Sequence, residues 1–587
     1  MVKNNREQEV KSLAIVGAGP RGLSALESVY GALAFQGNPK SLNTFLFEAN
    51  ELPGAGHVYD LEQLDTNWLN ISERGLTLPK REEIKCDNLV IPSFPSYQKW
   101  ACYDLDMNSG IVADKFPLRS TLGKYLNERY KSIATVLQDE GLLTVIRGEV
   151  IESNWKEGLF ELVVKDGGTY HTNEVVLTLG HQSTYNDDQI TNWLSYNHTK
   201  TSVALITEPY PVKNFLKLDQ LNSDIIVALR GFGLAMIDVM RALTTGLGGK
   251  FEMTNDATQE MVYTRSGKEP NKIVPFSLDG LPMAPKPLNF EIDEWFFPTD
   301  VEKEVFKSEV STIAQRGAVK DHQFLIDAIT PIIFRVFKEL EDKAYASDLN
   351  KSALYEIIKS WLSDEKFEHD LIVPKNNPAE KTLKAFVGMA IGTKQVSLDF
   401  CIGHVWRHCQ PTLYKAVSFS NLDDNVIASV VALDERLKRY SYGPPVGSLQ
   451  QLLALIKAEV VTLDFVNNPE IKTTDQGWKL SMENKAVQVE MMINSVLDSP
   501  KLLDVNSLLV RNLLQDSLVE PVHGELGIDT YKNACVCLSA DEDKIPLAVL
   551  GRLSKGTLIG VDAILECFGI RSDLWAEGLV NRIRAKV

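Results

Sequence analysis

The chain has 587 residues, 44% apolar and 24% charged, with a formal net charge of −17. That length exceeds one hydrophobic core and implies several domains, and the acidic balance disfavours a nucleic-acid or anionic-membrane partner. The polar start Met1–Lys11, the lack of any apolar run near the ~18 residues of a membrane helix, and seven scattered cysteines lead us to expect no leader, membrane span or disulfide framework, and a cytoplasmic protein.

The most informative stretch is Lys11–Glu48. The apolar run Lys11–Val16 reads as a strand, Gly17-Ala-Gly-Pro-Arg-Gly22 as a turn, the stretch to about Phe35 as a helix, and Thr44–Phe47 as a second strand closed by Glu48. This order is the dinucleotide-binding unit. Gly17 permits the tight turn, Gly19 lets a pyrophosphate approach the backbone, and Gly22 lets helix and strand pack closely. Pro20 and Arg21 open the helix, whose N-terminal N–H groups and dipole favour phosphate. Glu48, 26 residues past Gly22, can accept from a ribose 2′-OH. A glycine-rich segment with Gly54, Gly56, His57 and Tyr59 follows, then Trp68–Ile71 with Asn70, and Phe116–Arg119 leading into a helix to about Leu137. Leu143–Ile151 and Leu159–Val164 read as strands of a small sheet, and Glu174–Leu179 as an apolar strand ending in Gly180-His181.

Asp224–Leu229 repeats the opening theme, with Gly231, Gly233 and Asp238 after it and Met236 in the third glycine position. Met261–Thr264 reads as the next strand, ending at Arg265. An arginine where an acid would grip a free ribose favours a 2′-phosphate, hence NADPH over NADH. From about Leu288 to Pro469 the apolar residues follow a 3.6-residue period, as in Leu325, Ile329, Ile332, Ile333 and Val336. After Gly477 strands return, ending with Ile545–Leu550, Gly551 to Gly556 and a helix expected from about Thr557, its N-terminus directed at a flavin.

Together Gly17–Gly22, Gly54-x-Gly56-x-x-Tyr59, Leu69-Asn70, Pro117-x-Arg119, Gly231-x-Gly233 with Asp238, Gly443-Pro-Pro445 and Gly551–Gly556 resemble a bacterial FAD/NAD(P)-binding family of two-dinucleotide-domain flavoproteins. Its wider relatives are the flavin N-hydroxylating and Baeyer–Villiger monooxygenases. Met236 and Arg552 depart from the pattern. The expected fold is α/β, with two Rossmann-like domains and a large, mostly helical insertion: residues 1–200 begin the FAD-binding domain, 201–287 bind NAD(P)H, 288–470 form the insertion, and 471–587 return to complete the FAD site.

The expected cofactor contacts are Gly17, Gly19, Pro20, Arg21, Gly22, Glu48, Gly56, His57, Asn70, Arg119, Gly180, Gly231, Gly233, Arg265, Gly551, Gly556 and Thr557. Asn70, His181, Arg436 and Arg439 are the catalytic or substrate-holding candidates, the two arginines for a carboxylate. Cys401, His404, His408 and Cys409 fall on one helix face and cannot wrap a metal tetrahedrally, so we expect none. Cys535 and Cys537 form no CxxC, which disfavours a disulfide reductase. The expected function is an FAD-dependent oxidoreductase reduced by NADPH. We expect a monooxygenase acting through a C4a-(hydro)peroxyflavin on a small polar or amino-bearing substrate, with O2 as co-substrate. A flavin-dependent reductase or dehydrogenase, a non-catalytic redox module, and a homo-oligomer stay open.

Overall fold

The computed structural model describes residues 10–103, 110–200, 202–497, 501–539 and 545–585. Its first sheet is built on Lys11–Val16, whose last four residues are buried on both faces, as a central parallel strand requires. The strand order is 547–549, 174–177, 11–16, 42–48 and 143–147, all parallel. Helix Pro20–Phe35 packs against the C-terminal helix Ile570–Ala585. The strand expected over Leu143–Ile151 is broken at Gly148, where φ is +158°. It becomes Leu143–Arg147 in this sheet and Val150–Lys156 in a separate antiparallel sheet with Leu159–Val164 and Thr169–Thr172.

The second sheet is also parallel, in the order 204–206, 491–494, 226–230 and 272–276. The chain therefore closes this sheet with Met491–Asn494 before it returns to the first with Leu547–Val549. Met261–Thr264 is not a member. It pairs antiparallel with Lys250–Asn255 in a separate hairpin, and the parallel neighbour of Ile226–Arg230 is Lys272–Phe276.

Between the two visits to the second sheet lie eight described helices, from Phe290–Glu294 to Val446–Lys457. They begin conventionally: Thr299 and Glu302 form a capping box, and Asn350 caps Lys351–Ser363. Helix Leu398–Val417 is their centre, packed against Asp300–Arg316, Gln323–Glu339 and Asp424–Ser441. Their apolar faces and those of the second sheet form one continuous core, in which Val227, Leu229 and Ile273 join Ile329, Val405 and Leu455. The insertion is thus fused to the second sheet rather than hung from it. Among the described residues no helix is long and apolar enough to cross a membrane.

A buried charged contact joins the two units. Arg119 Nη2 donates to Asp238 Oδ2 at 2.6 Å, and Tyr210 donates to the same oxygen at 2.6 Å. The Asp238 side chain is 3% exposed. Burial alone would lower the Arg119 pKa, but Asp238 and Tyr210 outweigh it and keep the guanidinium firmly charged. Replacing Asp238 with Ala leaves that charge buried and unpaired, so stability should fall by about 3–5 kcal/mol. The double variant Arg119→Met/Asp238→Ala should recover part of the loss. Denaturant unfolding checks this, and purely additive losses would show that the pair is not coupled.

Candidate functional site

The two sheets make the same turn twice, in corresponding steps. In the first, Gly17 has φ +104° and donates to the Phe47 carbonyl at 2.9 Å; in the second, Gly231 has φ +120° and donates to Phe276 at 2.7 Å. A hydroxyl residue past the neighbouring strand buttresses each turn. Thr178 Oγ1 donates to the Val16 carbonyl at 3.0 Å, and Ser495 Oγ donates to the Arg230 carbonyl at 2.9 Å. A Cβ on Gly17 would stand 2.9 Å from the Thr178 oxygen, and one on Gly231 would stand 3.1 Å from Ser495. Both positions are therefore closed to side chains by strain and by contact.

The first turn fits a dinucleotide. Gly19 precedes helix Pro20–Phe35, and no side chain caps that helix, so its first N–H groups are available to a phosphate. A Cβ added at Gly19 would meet only the Gly56 Cα, at 3.8 Å, whereas one at Gly22 would collide with the Gly17 carbonyl oxygen. Gly19 thus borders open space and Gly22 a packed contact, as their separate tasks require. Glu48 Oε2 accepts from Ala18 N at 2.8 Å, and Oε1 accepts from the Asn50 backbone and side chain at 2.9 and 2.8 Å. A lone pair on Oε2 is left for a ribose hydroxyl. Gly56 approaches Gly19, while His57 is exposed beside it. Gly180 has open space at its Cα, and His181 Nδ1 accepts from Arg552 at 2.7 Å.

At the second turn Gly233 precedes the uncapped helix Leu234–Ala242, and a Cβ there would meet only Met283 Sδ, at 3.8 Å. Met236 stands where Gly22 stands in the first turn. A side chain at Gly22 would strike the turn, so the helix here must sit further from its glycine.

Several expected contacts fall elsewhere. Arg265 lies at the amino end of the second sheet, bonded to the carbonyls of Glu459 and Asn271 at 3.1 and 3.4 Å. Ile226–Arg230 separates it from the glycine turn by roughly 13 Å at strand rise, so it cannot meet a 2′-phosphate there. The residue corresponding to Glu48 is Ser277, next after Phe276. Arg21 donates to the carbonyls of Val561 and Glu566 at 2.8 and 3.2 Å, clamping the C-terminal return instead of a phosphate. No helix starts at Thr557. That hydroxyl donates to Asp529 at 2.6 Å, and the next long helix begins at Ile570. Gly551 packs on Arg21, and Gly556 on Val522. Arg119 holds Asp238 and the Trp68 carbonyl. Arg436 donates to the carbonyls of Trp361 and Leu362 at the end of helix Lys351–Ser363, and Arg439 to Asp279 and the Leu281 carbonyl. Both of the expected carboxylate holders are thus engaged in packing.

Cys401, His404 and Cys409 are buried in the core of helix Leu398–Val417, with His404 between Phe296 and Phe400. His408 turns to Asp293, its Nε2 at 3.0 Å.

Asn70 is where the units meet. Leu69 N donates to the Pro117 carbonyl at 2.9 Å, and Asn70 Nδ2 donates to the Tyr442 carbonyl at 3.4 Å. Its own carbonyl accepts from Lys286. Lys286 lies on the segment that leaves Phe276, passes Met283 over Gly233, and reaches the first unit. The sequence reading missed it, although the run Pro285-Lys286-Pro287, stiff on both sides of a lone cation, was a signal.

Residues 14–182 match the FAD-NAD(P)-binding family. The chain is 25% identical over 553 residues to nitrosuccinic acid synthase npaA of Aspergillus oryzae, covering 87% of this chain and 82% of that protein. It is 24% identical over 302 residues to an L-aspartate N-monooxygenase (nitrosuccinate-forming) of Streptomyces davaonensis, covering 44% and 42%. The solved L-lysine 6-monooxygenase from Pseudomonas syringae is 12% identical, with a TM-score of 0.48 over 98% of this chain and 99% of that one. The opening domain is thus an FAD/NAD(P)-binding domain, and the resemblance to N-oxygenating flavoproteins read from the motifs is met.

Two outcomes follow. Gly19→Val fills the open side of the first turn, so the protein should purify without FAD; stoichiometric flavin in that variant, read from its absorbance, would refute the assignment. Arg265→Ala should leave the ratio of kcat/KM for NADPH to that for NADH unchanged, and a selective loss with NADPH would return Arg265 to the coenzyme site.

Proposed function

We propose that the protein is an FAD-dependent monooxygenase, reduced by NADPH, that oxygenates the nitrogen of a small amino acid. The observation that supports this most directly is the pair of matched glycine turns at the carboxyl ends of two separate parallel sheets, with one segment reaching from the second turn to the Asn70 loop. A protein that only held FAD would need one such turn; a second, built to the same plan, suits a reductant. The relatives that oxygenate aspartate nitrogen, matched over most of the chain in one case, suggest the acceptor.

Bound FAD would supply hydride acceptance from NADPH and electron transfer to oxygen, chemistry that no side chain offers. The chain's own part is to hold and enclose. The N-terminus of Pro20–Phe35 would take the pyrophosphate, Glu48 the ribose, and the N-terminus of Leu234–Ala242 the second dinucleotide. Gly443 packs against the Ala284 carbonyl so closely that a Cβ there would collide with it, and Lys286 N donates to the Pro444 carbonyl at 3.0 Å. These contacts fix the segment that runs from the second turn to the Asn70 loop. We place the reaction in the cytoplasm, with O2 as co-substrate.

Without substrate, NADPH oxidation should be slow and should release hydrogen peroxide. L-Aspartate, or the correct amine from a panel of amino acids, should speed NADPH oxidation, suppress the peroxide and give an N-oxygenated product by mass spectrometry. Quantitative peroxide release with every amine would defeat the proposal and leave a flavin-dependent reductase or oxidase.

A further inference from the structure

A cluster of cations lies behind Asn70. Arg74 donates to Asp114 at 3.1 and 2.7 Å and to Asp293 at 3.2 Å, while Arg407 donates to Asp293 and His408 Nε2 lies 3.0 Å from it. Burial opposes the charge on Asp293, but Arg407 and His408 overcome it and hold the carboxyl well below its usual range. Burial, then Arg407, draws His408 down to about 4, so it is neutral at pH 7. The two arginines are therefore balanced by the two aspartates. Lys286 has no such balance: its ammonium donates to the Asn70 carbonyl, and among the described residues it has no carboxylate partner. A half-buried ammonium without a paired carboxylate is costly, and this one sits where the two units meet.

We propose that Lys286 anchors a carboxylate of the substrate, making the protein selective for amino acids that carry an acidic side chain. The inference rests on the monooxygenase reading and assigns its substrate site. A carboxylate at Lys286 would restore the local charge balance. It would also place the substrate where the segment from the second turn meets the Asn70 loop. Arg439 is already paired with Asp279, and Arg436 is taken up by two carbonyls at the end of helix Lys351–Ser363.

The charged groups around Lys286 are Arg74, Asp114, Asp293 and Arg407, with His404 and His408 neutral beside them. Burial, then Arg407, draws the Lys286 ammonium down to about 7, against the pull of Asp293 and Asp114. Its charge is present below that pH and lost above it, so carboxylate binding should weaken as pH rises through neutrality.

The test titrates the flavin-loaded full chain with malonate, succinate and glutarate, which lack an amine and cannot turn over, and follows the flavin spectrum and binding heat. At least one should saturate. Lys286→Met should weaken it roughly ten- to a hundredfold, the worth of a charged hydrogen bond. Lys286→Arg should restore part of the affinity and flatten its pH dependence. FAD content and KM for NADPH should stay near wild type. No saturable binding by any dicarboxylate, equal binding by Lys286→Met, or a rise in KM for NADPH as large as the loss of dicarboxylate affinity would each overturn the assignment; the last would mark a coenzyme phosphate site. Lys286-dependent binding without any N-oxygenated product would uphold the anion site and refute the monooxygenase reading. N-oxygenation that ignores Lys286 would do the reverse.

Discussion

The arrangement depends on two parallel sheets that each carry a glycine turn at the carboxyl end. Parallel strands place all their strand-to-helix turns at the carboxyl end, so ligands gather there; two such ends must be held relative to each other. The Arg119–Asp238 pair holds them. Arg119 follows the strand-like contact of Leu69 with Pro117, while Asp238 stands on the helix that begins at Gly233. Each partner is therefore fixed to the elements that make its own unit's site. Arg241, on the same helix, lies over the Trp68 ring at 3.9 Å, which adds a cation–π contact at the same junction.

The first glycine turn was legible because each of its constraints falls on a different residue type at fixed spacing. Gly17 needs positive φ, Gly22 needs the absence of a Cβ, and the strands on either side are continuous apolar runs. The second turn was legible for the same reason, but its partner strand was not. Met261–Thr264 has the residues of a strand and lies at the expected distance, whereas the true neighbour Lys272–Phe276 contains Pro275. The hairpin Lys250–Thr264 is an excursion that local pattern cannot distinguish from the sheet. The error carried Arg265 to the wrong end of the site.

The arginines show a second limit. Arg21, Arg436 and Arg439 stand in positions where a ligand contact was reasonable, and each is bonded to carbonyls or a carboxylate distant in sequence. A guanidinium offers five donors, and backbone carbonyls left open at helix ends and irregular segments compete for them. Arg436, for example, takes the last carbonyls of Lys351–Ser363, which that helix cannot satisfy itself. Such engagement depends on chain returns 74 to 545 residues apart, which spacing does not encode. The returning strands after Gly477 were legible in the sequence, as Ile545–Leu550 was for Leu547–Val549; what spacing did not give is that Met491–Asn494 completes the second sheet, begun far earlier.

The helical block gains a physical reason from this geometry. It shares a core with the second sheet, and its central helix Leu398–Val417 carries Arg407 and His408 to Asp293, next to the segment that bears Lys286. The C-terminal return is tied to the same block, where Lys555 and Lys438 both donate to Asp562, at 2.7 and 2.6 Å, and Glu435 meets both lysines. The block therefore touches the second sheet by apolar packing and the first unit's return by charge. A loop long enough to connect the strands could not do both, because each contact needs a rigid element to resist the other. The block's helices fix Asp293, Arg407 and His408 next to Lys286, which among the described residues has no carboxylate partner.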